Sequence, residues 1–272
     1  MSLISKLPAD MLGEIAAQTA LVDLIYLSRT CKSLHRFLKS RHFRYIWKEK
    51  LASIAGLPAC PATLPEYAFA DLVSLSTCQG CDSASDRTPV DWDLRVRLCQ
   101  QCLSAIITTF DEAQPPICLA EFPSLKMRDV VHVRPPYPLA AHGCAFVTEE
   151  LDAIRAALDV MDVGAKVVFI SQRKAMMVDA RVHARECRAW KARVQAEIRS
   201  RRIPLIRERL ISLGWAKEVN FLHFRFDEHP LVAEPIELTN EVWDQIRPEL
   251  EAYLAEQRKQ LESRPKRYGG FF

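Results

Sequence analysis

Glycine is scarce in this chain: eight in 272 residues, half the number of prolines. Tight hairpins depend on residues that accept positive φ, so a hairpin-rich β architecture is disfavoured and helices punctuated by proline are expected. The chain also lacks any apolar stretch near the roughly 20 residues that a membrane span requires, and its start, MSLISKLPAD, has no apolar run behind a basic end. A cytoplasmic or nuclear protein is therefore expected. No WD, kelch or leucine-rich period is visible. Catalytic signatures are missing as well: no glycine-rich phosphate loop, no HExxH, no GxSxG and no carboxylate pair placed as acid and base. The expectation is a protein that is not an enzyme. Charge of one sign is nearly balanced, and a net +3 does not by itself imply a nucleic-acid partner.

What is abundant is leucine, above all between Leu7 and Trp47. Leu7-Pro8 with acidic Asp10 reads as the start of a helix, since proline is tolerated in a first turn and a carboxylate there meets the positive end of the helix dipole. Met11, Leu12 and Ile15 fall on one face of it. Thr19 is read as the cap of a second helix carrying Leu21, Leu24, Leu27 and Ser28, while Cys31, Leu34, Phe37 and Leu38 repeat the helical spacing on a third. Three helices of this length enclose too little interior to hide so many apolar side chains, so part of the surface is expected to face another protein.

The run Leu7-Pro8-x-Asp10 with Leu12 and Ile15, then Asp23-Leu24-x-x-Leu27 and Cys31-Lys32, resembles an F-box, the short helical module that docks a protein onto the Skp-type adaptor of a cullin-based ubiquitin ligase. The resemblance covers about 41 residues at the N-terminus. It implies that Leu7, Pro8, Leu12, Ile15, Leu24, Leu27 and Cys31 lie in or beside the adaptor interface. Many F-boxes place an aromatic soon after the Cys-Lys pair; this chain has Leu34 there and its tryptophan at Trp47. An ordinary N-terminal helical bundle is the competing reading.

Nine cysteines without a secretory signal are read as reduced thiols or metal ligands before disulfides. Four of them form two CxxC pairs, Cys78-Gln-Gly-Cys81 and Cys99-Gln-Gln-Cys102, separated by seventeen residues. That spacing fits a four-cysteine zinc site: each two-residue gap lets two thiolates of one turn reach one ion, Gly80 permits the tight backbone, and two such pairs complete a tetrahedron. With four sulfurs bound no position stays open, so the zinc is expected to be structural. Pro89–Leu98 reads as a strand leading into the second pair, with Trp92 and Leu94 over the ion. A redox CxxC and inert buried thiols are the alternatives. Some fungal, basidiomycete-like F-box proteins place a similar paired-CxxC element, with a Trp and an Arg-x-Arg-Leu-Cys run, after the F-box.

Elsewhere Ser40 is read as the cap of a helix with Phe43, Ile46, Trp47 and Leu51 on one side. GLPACPATLPEY is a breaker cluster and a boundary. Val130, Val131 and Val133 hint at a short strand ended by Pro135-Pro136; Cys118, Cys144, His132 and His142 show no ligand spacing. Thr148 is read as the cap of a helix with Glu149 and Glu150 in its first turn and Leu151, Ile154, Leu158 and Met161 on one face. A long helix follows Gly164, Pro204 opens another that Gly214 closes, and Phe221–Phe226 alternates like a strand. Thr239-Asn240-Glu241 caps a helix that Pro248 restarts, and an LGW followed by a late LTxxxW helix again resembles those fungal proteins.

The expected fold is mainly α: an N-terminal three-helix F-box module (1–55), a linker and small four-cysteine zinc module (56–110), an irregular connection (111–147), a helical, substrate-recruiting region (148–262) and a flexible tail (263–272). Function divides two ways. The first is a substrate-recruiting F-box subunit of an SCF-type ligase with structural zinc, its partners a Skp-type adaptor, through it a cullin, and a target protein. The alternative is a zinc-containing nucleic-acid-associated protein using residues 173–209, where twelve Lys or Arg stand against four Asp or Glu and Arg199-Ser-Arg201-Arg202 reads as an import patch. A solvated helix face explains the same charges, because acids are interspersed and no aromatics interleave for stacking. His183 and Cys187, four apart on a helix, are the nearest thing to a catalytic pair.

Overall fold

The computed structural model describes residues 7–83, 88–110, 122, 124–135 and 144–263. The fold is mainly helical, as expected, and it divides into two compact units, residues 1–190 and 191–272. The expected tail from 264 onward, Cys118 and His142 lie outside the described residues.

The first unit begins with α1 (Ala9–Gln18), α2 (Leu21–Thr30) and α3 (Lys32–Leu38), followed by a 3₁₀ turn and α4 (Arg44–Ala52). Their interior is Leu12, Ala16, Leu24, Ile25, Leu34, Leu38, Phe43, Ile46, Trp47 and Leu51. Two side chains of α4 close the ends of the earlier helices. Trp47 donates its indole N–H to the Leu38 carbonyl at 2.8 Å, and the Lys50 ammonium reaches the Ala17 carbonyl at 2.9 Å and that of Thr19. A cation there also answers the negative end of the α1 dipole.

Helix α5 (Glu66–Ser74) packs on α2 and α4. Arg44 donates to both carboxylate oxygens of the buried Glu66, at 2.6 and 2.7 Å. After α5 come the paired cysteines, α6 (Gln100–Ser104) and a small antiparallel sheet of β1 (Ile107–Phe110), β2 (Val133–Arg134) and β3 (Cys144–Val147) in the order β1-β3-β2. The sheet was not expected. Of the three valines, Val133 lies in β2, whereas Val130 and Val131 are core residues next to a 3₁₀ turn.

With α7 (Thr148–Asp159) and the start of α8 (Val163–Ser212), the sheet encloses a core of Leu125, Met127, Val130, Val131, Phe146, Leu151, Ile154, Leu158 and Ile170. Met161 packs against it. Glu150, in the first turn of α7, accepts from the His132 backbone N–H (2.9 Å) and from Arg173 (2.6 Å), and its other contact is His132 Nδ1 at 2.8 Å.

The second unit holds the end of α8, α9 (Ala216–Leu222), α10 (Phe224–Asp227), α11 (Pro230–Ala233) and α12 (Asn240–Glu262) around Ile206, Leu210, Val219, Leu222, Phe226, Val232, Trp243, Ile246, Leu250 and Leu254. Pro204 and Pro248 do not divide their helices, contrary to expectation: α8 and α12 run through them. Packing of Ile206 and Leu210 on one side and of Ile246 and Leu250 on the other outweighs a lost backbone bond. Gly214 does end α8, at φ +93°, with the Trp215 N–H on the Leu210 carbonyl and the Gly214 N–H on that of Ile211. Those two bonds make a Schellman cap.

Phe221–Phe226 is helical and not extended. Val219, Leu222 and Phe226 are buried at three- and four-residue spacing, and His223, at φ +49°, turns the chain between α9 and α10. Of the proposed caps only Thr239 acts as one, accepting from the Val242 N–H. Thr19, Ser40 and Thr148 do not cap the following helices. Thr19 instead donates back to Ile15, and Thr148 pairs with Thr108 at 2.8 Å across to β1.

Candidate functional site: a four-cysteine cluster and an apolar helical face

Cys78, Cys81, Cys99 and Cys102 come together, with all four sulfurs within 4.8 Å of one another and Cys81 and Cys99 3.9 Å apart. A tetrahedral ion with sulfurs at about 2.3 Å requires sulfur separations of about 3.8 Å, so the cluster needs little contraction to hold one. Backbone donors already point at the sulfurs: the N–H groups of Gly80 and Cys99 at Cys78 Sγ (3.3 and 3.2 Å), and that of Cys102 at Cys99 Sγ (3.5 Å). The donor set and the N–H groups fit a bound divalent ion of thiophilic character.

The electrostatics agree. The Cys99 N–H, with further help from Cys81 and Gly80, draws the Cys78 thiol down to about 6 against the effect of burial. Cys102 is pushed up to about 12, first by its hydrogen bond to Cys99 and then by Cys78 and Cys81. One thiolate forms readily and its neighbours resist, which is the repulsion that a dication removes.

Gly80 matters for a different reason from the one its position suggests. A Cβ there would stand 3.0 Å from Cys102 Sγ and 3.1 Å from Cys102 Cβ, so glycine is required by the approach of the second pair. The positive φ of the first knuckle, +54°, belongs to Asp82. The segment from Pro89 to Leu98 is not a strand. Asp91 and Val96 exchange backbone bonds at 2.8 and 3.1 Å around a turn in which Asp91 Oδ1 accepts from the N–H groups of Asp93 and Leu94. Four turn residues with Arg95 at φ +58° leave no room for an extended ladder.

Sequence reasoning missed the residues that brace this module. Buried Arg97 donates to the Thr88 carbonyl at 2.6 Å and the Leu72 carbonyl at 2.7 Å, and burial lowers its pKa to about 10, so it stays charged at neutral pH. Gln79 holds the two knuckles together: its N–H meets the Arg97 carbonyl and its side-chain oxygen accepts the Arg97 N–H. Arg188 of α8 pairs with Asp93 at 2.6 Å, and Arg29 of α2 reaches Asp71 at 2.9 Å and Asp82 at 3.3 Å. The Arg-x-Arg-Leu-Cys run was the one visible sign of Arg97.

On the N-terminal helices the predicted residues separate by burial. Leu24 is fully enclosed and Leu12 nearly so (8% exposed), whereas Leu7, Leu27 and Cys31 are half-buried and Pro8 and Ile15 are exposed. Leu12 and Leu24 are therefore supports of the bundle in this conformation. The apolar surface is instead Met11 and Ile15 on α1, 53% and 43% exposed, and Val22 and Tyr26 on α2, 38% and 50%. Each pair is four residues apart, so each lies on one side of its helix.

The basic stretch of α8 is largely consumed internally. Arg173, Lys174 and Arg188 pair with Glu150, Asp129 and Asp93, and Arg181 donates to the Arg128 carbonyl. Arg199 donates to the Ala233 carbonyl, Arg201 pairs with Glu197 and Glu237, and Arg207 pairs with Asp227. Arg202 is buried, donating to the carbonyls of Ile236 and Leu231, so the import patch has lost its third arginine to the core. Cys187 does approach His183, at 3.6 Å, but burial pushes the thiol up to about 12 and holds the imidazole below its usual range. That is the reverse of an activated nucleophile.

Among the described residues no helix is long and apolar enough to cross a membrane. No curated protein and no solved structure matches the chain. Residues 4–46 match the family model described as F-box domain, covering α1 to α3 and the start of α4. The chain thus carries an F-box domain over residues 4–46.

Proposed function

We propose that this protein is a substrate-recruiting subunit of an SCF-type cullin ubiquitin ligase. The observation that carries the reading is the F-box match at residues 4–46, on helices that leave Met11, Ile15, Val22 and Tyr26 in water. Each large apolar side chain removed from water contributes roughly 1.5 to 3 kcal/mol, so these four with Leu7, Pro8 and Leu27 suffice for a specific contact with an adaptor. Leu12 and Leu24 hold that surface from beneath, and half-buried Cys31 contributes to it as Leu7 and Leu27 do. The protein catalyses nothing; it raises the concentration of a target near the ubiquitin carrier held by other subunits.

The ion of the four-cysteine cluster is zinc in this reading, structural because four thiolates fill its coordination. It fixes the segment between α5 and β1, to which Arg29 and Arg188 attach the F-box helices and α8. The second unit, with its own core, is left to meet the target.

Co-expression with a Skp-type adaptor tests the assignment. The intact chain is expected to co-purify with it, and an Ile15→Asp, Tyr26→Asp variant, altered at exposed positions, is expected to fold and to lose it. Equal recovery of both would remove the F-box contact from the account. Metal analysis of the same preparation is expected to give about one zinc per chain, lost when Cys78 and Cys99 become serine.

A further inference from the structure

Between the end of α3, the start of α4 and the segment leading into α5 lies a cleft of about 360 Å³. That is within the size of small-ligand pockets, about 300 to 1,000 Å³. Three cations line it, Lys39, Arg41 and Arg44, against one carboxylate, Glu66. The carboxylate is already answered, since both its oxygens accept from Arg44 Nε. The Arg41 side chain makes no ion pair or hydrogen bond among the described residues, and Lys39 is held 4.4 Å over the Tyr67 ring. Burial lowers the pKa of Lys39 against the attraction of Asp71, as expected of an ammonium kept partly from water.

The remaining lining is mixed, with Leu64 and Pro65 beside the face of Tyr67 and over the edge of buried Trp47, and with Ser40 and Thr63 as its neutral polar members. An ion alone would leave Leu64, Pro65 and Tyr67 wet, and a neutral apolar ligand would gain nothing from the two cations. We propose that this cleft binds a small organic anion, a flat apolar body against Leu64, Pro65 and Tyr67 carrying a phosphate or carboxylate that meets Lys39 and Arg41. The anion takes the place of solvent on both cations, and its body takes the ring face that Lys39 now covers. The site is independent of the adaptor contact, because the exposed apolar pairs of α1 and α2 do not line it.

Calorimetric titration of the full-length, metal-loaded chain tests this with phenyl phosphate, benzoate, inorganic phosphate and phenol. Phenyl phosphate or benzoate is expected to bind one site per chain, the tighter of the two assigning the headgroup, while phenol and inorganic phosphate bind at least about tenfold more weakly. Arg41→Ala and Lys39→Gln, separately and together, are expected to raise Kd about tenfold or more, with an unchanged thermal unfolding curve showing that the cleft is intact. The proposal is overturned if neither aryl anion binds up to about 10 mM. Binding that ignores both substitutions, or inorganic phosphate that matches phenyl phosphate, overturns it equally.

Discussion

Gly80 shows how a single residue can be read correctly for the wrong cause. The CxxC spacing marks it as a knuckle glycine, yet its backbone stays out of the left-handed region and the constraint is the 3.0 Å approach of Cys102 Sγ. A distance to the second pair is a tertiary fact that sequence spacing does not contain. Gly80→Ala should therefore weaken metal retention by about tenfold or more, in the range seen for altered outer-shell groups. A chelator competition on the purified variant measures it.

The half-buried thiol of Cys60 and the buried thiol of Cys187 should be inert. Burial pushes Cys60 up to about 11 and Cys187 up to about 12, so in the native protein at pH 8 both should resist iodoacetamide while remaining alkylatable in denaturant, as read by peptide mass spectrometry. Glu150 behaves oppositely. Burial alone would raise its pKa, but hydrogen bonds from His132 and Arg173 outweigh it and hold the carboxyl below the ordinary range. A depressed folded-state pKa contributes stability that is present above the unfolded value of about 4.3 and disappears as pH falls through the folded one. Glu150→Gln should accordingly lower stability at pH 7 and flatten the loss on acidification, checked by urea unfolding at a series of pH values.

At the scale of elements, helical periodicity was the legible part. α4 and α7 bury the apolar residues that their spacing picked out, whereas α1 buries only Leu12 and α2 only Leu24 of theirs, and the Schellman end of α8 at Gly214 followed from a glycine after an apolar helix. Gly214→Ala meets no atom within 4 Å, so its cost should be the backbone strain of φ +93° alone, about 1 kcal/mol, measurable as a shift of the denaturation midpoint. Caps were less legible, because Thr19 and Thr148 each have a tertiary or preceding-turn partner that competes with the cap. The strand read at Phe221–Phe226 failed for a related reason. Six alternating residues fit either period, and only the pairing of Leu222 and Phe226 with Val219 in one core decides for helix. The sheet was hidden because its strands are short and far apart in sequence.

At the scale of the whole molecule, the arginines turn out to be connectors. Arg29, Arg97 and Arg188 tie the cysteine module to α2, α5 and α8, a role that a local surplus of charge cannot reveal. Removing the ion should therefore loosen residues 72–110 and their immediate neighbours first. The core built on Ile206, Phe226, Trp243 and Leu250 is separate, so hydrogen exchange after chelation should rise in the cysteine module while residues 206–254 keep their protection.

The central claim is that the N-terminal helices present an apolar face to an adaptor. Its most direct measurement is the affinity of the full-length protein for an immobilised Skp-type adaptor, compared with the Ile15→Asp, Tyr26→Asp variant at about 50 and about 200 mM salt. An apolar contact predicts binding that changes little between the two salts and falls by about 100-fold or more in the variant, whereas phosphate-type electrostatics would lose about a thousandfold over that range. No adaptor binding by the intact chain, or binding that the two aspartates leave unchanged, would contradict the account.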